Sequence, residues 1–180
     1  MVKAKKVKAY SAGSKLLHWI IASVILMMLS GSFFLEDLNI YIKPLAIMLH
    51  KSFGITVLAL MIVRLYWLHH SGRPALPASV PLWEVIVSHT IQYTMYGLLI
   101  AMPLVGWVMS VLSNHTPTFF GLFDLPIPGL TPNSALADQF FLAHQIIAFM
   151  LIGLISLHIL AAVKHAVVDK DKILQRMLPE

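Results

Sequence analysis

The chain has 180 residues, 58% hydrophobic and 12% charged, with a mean hydropathy of +0.81. An ordinary soluble domain is about a quarter charged, so this composition excludes a disordered chain and argues against a soluble globule. The net charge of +5 comes from basic residues set beside apolar blocks rather than in a stripe interleaved with aromatics, which speaks for membrane orientation and against nucleic-acid binding. With no cysteine, disulfides, Cys-ligated zinc, thiolate-held iron–sulfur clusters and Cys nucleophiles are all excluded.

In chain order, the first apolar run, 16–35, opens after Lys15 and closes before Glu36 and Asp37. It is long enough to cross a bilayer, and its length favours a retained span over a cleaved leader, although Ser30, Gly31 and Ser32 resemble a cleavage region. The second span, 44–68, begins at Pro44 and holds Lys51 and Arg64 near its two ends, where basic side chains snorkel to the interface. A proline-rich loop from His69 to Pro81 follows, then a third span, 83–112, with an expected kink at Pro103 and Gly106. Residues Asn114 to Asp138, with Pro117, Pro126, Pro128 and Pro132, read as an irregular connection whose Phe119, Phe120, Leu122 and Phe123 lie on the membrane surface. The fourth span is 139–163, and a short polar tail runs from Lys164. The expected fold is therefore an all-α membrane protein: one domain over 1–180, a four-helix transmembrane bundle in up-and-down order. Lys and Arg cluster in both tails and around the second loop, which places both termini in the cytoplasm and Glu36, Asp37, Asp124 and Asp138 outside.

Ionisable side chains inside a span mark function, because burial in hydrocarbon is costly. Of nine histidines, His69, His70, His89, His115 and His165 fall in loops or near span ends, leaving His18, His50, His144 and His158 within the membrane. His144 and His158 are 14 residues apart, about 21 Å along one face of a helix, so they serve two sites at two depths. Up-and-down topology brings His18 to the level of His158 and His50 to that of His144. Two imidazoles on facing helices are what a six-coordinate b-type haem requires. One turn after each stands a small residue, Ala22, Gly54, Ala148 or Ala162, leaving room for a porphyrin. Interhelical hydrogen bonding by the histidines is the bland alternative. Zinc fits less well, since each level offers two histidines and no nearby carboxylate.

Several pieces resemble the bacterial cytochrome b561 family and, with it, the membrane cytochrome b subunits of hydrogenases and formate dehydrogenases. They are Leu17-His18-Trp19, His50-Lys51-Ser52-Phe53-Gly54 with Val63-Arg64-Leu65, and Met102-Pro103-Leu104-Val105-Gly106-Trp107. Phe120-Gly121-Leu122-Phe123, Ala143-His144, Leu157-His158, Lys164-His165 and the stretch with Asp171, Leu174, Arg176 and Met177 also match, and one departure is Ala166, where relatives often carry a second histidine. The resemblance implies two b haems held by His18, His50, His144 and His158, and electron transfer between a quinone pool and a redox partner in the bacterial inner membrane. One resembling member is a superoxide oxidase that reduces ubiquinone, so a superoxide:quinone oxidoreductase is one expected activity.

Two readings of Lys51 stand side by side: a cation that neutralises a haem propionate or attracts a small anion, and a snorkelling lysine. Arg64 likewise reads either as a propionate partner or as a positive-inside anchor. Trp19, Trp67, Trp83 and Trp107 suit an interfacial belt or haem packing, and Met27, Met28, Met48 and Met109 suit apolar packing rather than ligation. Two competing functions are a haem-bearing anchor subunit of a larger dehydrogenase or hydrogenase complex, disfavoured by the lack of a sizeable soluble loop, and a haem-free transporter with a histidine proton relay.

Overall fold

The computed structural model describes residues 9–75, 77 and 80–178. Four long helices account for most of the described chain: α1 (Ala12–Ser32), α2 (Lys43–Ser71), α3 (Leu82–Leu112) and α4 (Ser134–Lys164). Each is long and apolar enough to cross a membrane. The all-α, four-helix transmembrane bundle expected from the sequence is the fold observed. The end holding the start of α1 and the end of α4 is here the inner end, and the opposite end is the outer one.

Helix boundaries follow local chemistry more closely than the apolar runs do. Helix α1 starts at a Ser11 cap, whose side chain accepts from the Ser14 N–H, and stops at Ser32, three residues short of the expected limit. Residues beyond Gly31 turn instead, the Phe34 N–H donating to the Gly31 carbonyl. Helix α2 runs on to Ser71, so His69 and His70 lie in its last turn rather than in a loop, and Gly72 at φ 72° ends it. Helix α3 continues through Pro103. Helix α4 begins five residues before the expected 139, because the Asn133 side chain caps the Leu136 N–H and Ala135, Leu136 and Ala137 are good helix formers.

The connection between α3 and α4 is not wholly irregular. Thr118–Phe119 (β1) and Phe123–Asp124 (β2) pair antiparallel, closed by Phe120 and Gly121 at φ 49° and 75°. Ser52 of α2, 1% exposed, anchors this hairpin: its hydroxyl accepts from the Phe120 N–H at 2.9 Å and lies 3.2 Å from the Thr118 carbonyl. Phe120 packs edge-on against Phe53, so of the four apolar residues expected at the membrane surface only Leu122 and Phe123 are exposed.

Close helix packing runs α1 on α2, α2 on α3 and α3 on α4. Ile21, Ile25, Val57, Met61, Leu99 and Leu151 form the buried core. Leu151 is midway between His144 and His158, and Val57 and Met61 follow His50, so this apolar plug fills the bundle between the two histidine levels. Large apolar side chains outside it, such as Leu26, Ile62, Phe149 and Leu160, are exposed and suit a lipid surround.

Beyond α4 the chain turns back under the bundle. A π-helical turn at His165–Asp169 is followed by Lys170 and Lys172 at φ 52° and 65°, a conformation costing a non-glycine residue about 1 kcal/mol. A short 3-10 segment, Leu174–Arg176, completes this strap. The Trp19 indole donates to the Met177 carbonyl at 2.8 Å, and the Tyr10 N–H to the Arg176 carbonyl at 3.2 Å.

Candidate functional site

The four intramembrane histidines meet in two pairs. His18 of α1 faces His158 of α4 with ring centres 6.3 Å apart and planes inclined at 70°. His50 of α2 faces His144 of α4 at 6.4 Å and 66°. These are the pairings that span depth and up-and-down order lead one to expect. In both pairs the gap between ring centres is almost the same.

That gap matches one metal between two imidazoles. A metal–nitrogen bond of about 2 Å on each side, plus about 1 Å from nitrogen to ring centre, separates the two centres by about 6 Å. Around the outer pair lies a cavity of about 400 Å³, lined by both histidines together with Gly54, Pro103, Gly106 and Ala148. Two of the small residues expected to clear a porphyrin, Gly54 and Ala148, thus border that space. Gly106 serves differently: a Cβ there would lie 3.0 Å from His144 Cε1, so its lack of a side chain lets α3 approach the ring. His144 Nδ1 is buried without a hydrogen bond, although the Met102 carbonyl is close to the ring. The donor set and spacing fit haem iron at both levels, and the cavity of about 400 Å³ adjoins the outer pair.

Lys51 stands at the outer mouth. Its ammonium donates to the His115 carbonyl at 3.1 Å, and no carboxylate pairs with it among the described residues. The Ser110 hydroxyl donates to the same carbonyl. A second, more open pocket of about 440 Å³, bordered by Lys43, Lys51, His115 and Thr116, adjoins the first and shares Ile47 and Lys51 with it. Lys43 is paired with Glu36 at 2.8 Å, leaving Lys51 as the uncompensated cation there.

Arg64 is buried at the inner end. Its Nη1 donates to the Ser14 carbonyl of α1 at 3.1 Å, and its charge acts on both His18 and His158. Arg64 is thus held within the bundle, 8% exposed, rather than on its surface. Three of the four tryptophans have defined partners: Trp19 on Met177, Trp67 on the Ser11 hydroxyl at 3.0 Å, and Trp107 on the Leu125 carbonyl at 2.8 Å. Gly13 makes room for Trp67, since a Cβ there would lie 2.5 Å from the indole. His165, expected to be solvated, is instead held by Asp171 at 2.6 Å and Asp169 at 3.2 Å.

A four-helix membrane protein with two stacked histidine pairs belongs to the class of membrane b-type cytochromes. Residues 9–180 match the family described as prokaryotic cytochrome b561, and the chain belongs to it. It is 30% identical over 172 residues to cytochrome b561 homolog 2 of Escherichia coli (strain K12), covering 94% of this chain and 90% of the relative. Probable superoxide oxidase CybB of Yersinia pestis is 31% identical over 174 residues, covering 96% of this chain and 97% of that protein. Cytochrome b561 homolog 1 of Escherichia coli (strain K12) is 31% identical over 130 residues, covering 72% of this chain and 73% of that relative. The protein is thus an integral membrane cytochrome b that carries electrons.

Proposed function

We propose that the chain holds two b haems, one between His18 and His158 and one between His50 and His144, and passes electrons across the membrane between superoxide at the outer face and ubiquinone. The observation that carries this reading is the pair of imidazole gaps, 6.3 and 6.4 Å, at two levels of one bundle. Bis-histidine haem iron cycles between two oxidation states and leaves no open coordination position, so it supplies one-electron outer-sphere transfer. The similarity to a probable superoxide oxidase over nearly its whole length favours superoxide as the donor. Two superoxide anions oxidised to dioxygen supply the two electrons that, with two protons, reduce one quinone to the quinol.

What the chain itself contributes is position and charge. The histidines fix the depth of each site, and the plug around Met61 and Leu151 keeps water from the space between them. Lys51, pinned by the His115 carbonyl, presents a positive charge where the outer pocket joins the cavity of His50 and His144. A cation without a neighbouring carboxylate raises the local concentration of a small anion. The prokaryotic family supports an inner-membrane location, and the distribution of Lys and Arg supports an orientation with both chain ends in the cytoplasm.

The test is turnover by the purified, haem-loaded protein given superoxide and a soluble quinone. Quinol should form at one per two superoxide consumed. Lys51→Gln should slow the reaction on the order of tenfold at low salt and flatten its ionic-strength dependence. A haem-loaded protein that forms no quinol under these conditions would refute the superoxide:quinone reading and leave a protein donor, as in an anchor subunit of a dehydrogenase. An unchanged rate and salt dependence in Lys51→Gln would make Lys51 a structural residue.

A further inference from the structure

At the inner end lie three guanidinium groups that, among the described residues, pair with no carboxylate. Arg64 is 8% and Arg176 9% exposed. Arg64 donates to the Ser14 carbonyl, and Arg176 Nη1 donates to the Ala75 carbonyl at 2.6 Å. Arg73, on the surface, lies 5.0 Å from the Tyr93 ring centre and donates to its hydroxyl at 3.2 Å. All three act on the Tyr10 phenol, which burial raises above its ordinary pKa and which these cations pull back.

Among the described residues, every hydrogen-bond partner of these arginines is neutral. Among the described residues none of the three is in an ion pair, and Arg176 Nε is buried with no hydrogen bond at all. Two nearly buried cations without a counter-ion are strongly unfavourable, whereas a bound oxyanion taken in the guanidinium fork satisfies both charge and donors. The position narrows the choice of anion, because Arg64 acts on both His18 and His158, and the strap that Trp19 and Tyr10 hold in place brings Arg176 to the start of α1, the helix that carries His18.

We propose that Arg64, Arg73 and Arg176 form a carboxylate cradle for the propionates of the inner haem, with the C-terminal strap as its closing wall. The proposal rests on the dihaem reading above. It gives the strap a role in cofactor binding and gives Arg64 one partner just past the end of its own helix and one near the far end of the chain. A phospholipid phosphate is the other source of the same oxyanion chemistry.

The experiment compares purified wild-type holoprotein with Arg176→Gln, Arg73→Gln and Arg176→Lys, by haem per chain, potentiometric titration of each component and phosphate in co-purified lipid. Loss of a cation beside the propionates should lower the midpoint of the component that His158→Ala depletes, leave the other in place and weaken haem retention at the inner level. Arg176→Lys should restore most of the shift. Unchanged midpoints and haem content in the Gln variants would overturn the proposal, as would loss of lipid phosphate with both midpoints unmoved. If Arg176→Gln does not accumulate, Arg73→Gln, at an exposed site, carries the same test. Wild-type protein with fewer than two haems per chain would defeat the dihaem reading itself, before any variant is compared.

Discussion

Gly106 shows how one missing side chain sets the distance between a helix and a site. A methyl at this position would press on His144 Cε1 at 3.0 Å and Nδ1 at 3.2 Å, so the half-buried ring would have to shift. Gly106→Ala should therefore tilt the outer imidazole and destabilise the fold by about 1–3 kcal/mol, as overpacking does. The absorption spectrum should change in the component lost in His144→Ala and not in the other. A variant with wild-type melting temperature and spectrum would show that the ring adjusts freely. The four histidines were legible because a polar ring inside an apolar run stands out and its depth can be counted from the run's ends. Lys51 was legible only as a cation beside His50. Its anchor, the His115 carbonyl, is 64 residues away and carries no side-chain signature.

Among the elements, the outer hairpin depends on a single hydroxyl of α2. Ser52 takes the Phe120 N–H at a tight turn where Phe120 is left-handed, and its own proton goes to the Met48 or Thr118 carbonyl. Ser52→Ala leaves that amide unpaired in a buried place, which should cost about 1–3 kcal/mol. Limited proteolysis between 114 and 133 should become faster while the inner component keeps its midpoint; unaltered proteolysis would mean that β1 and β2 hold without Ser52. The hairpin was missed in the sequence because two-residue strands leave no alternation to read, and the prolines on either side suggest irregular chain. The early start of α4 had a signal, Asn133 before a run of helix formers, that the apolar boundary at 139 overrode. The strap's residues Asp171, Leu174, Arg176 and Met177 carried part of the family resemblance, but its docking had no signal, since its contacts to Trp19 and Ala75 span 158 and 101 residues.

At the scale of the whole molecule, one helix carries half of each site. His144 and His158 on α4 meet partners on α2 and α1, yet α4 packs closely on α3. The bundle is thus built with two gaps at the level of the imidazoles and an apolar plug between them. This much of the architecture follows from four apolar runs in alternating direction, because antiparallel helices place the start of α1 beside the end of α4 and the start of α2 beside the start of α4. Haem quantified per chain, with a reduced-minus-oxidised spectrum of the wild type and of each histidine-to-alanine variant, tests this account most directly. It predicts two haems in the wild type, loss of one shared component in His50→Ala and His144→Ala, and loss of the other in His18→Ala and His158→Ala. Depletion of the same component by His50→Ala and His158→Ala, or a wild type without haem, would contradict it.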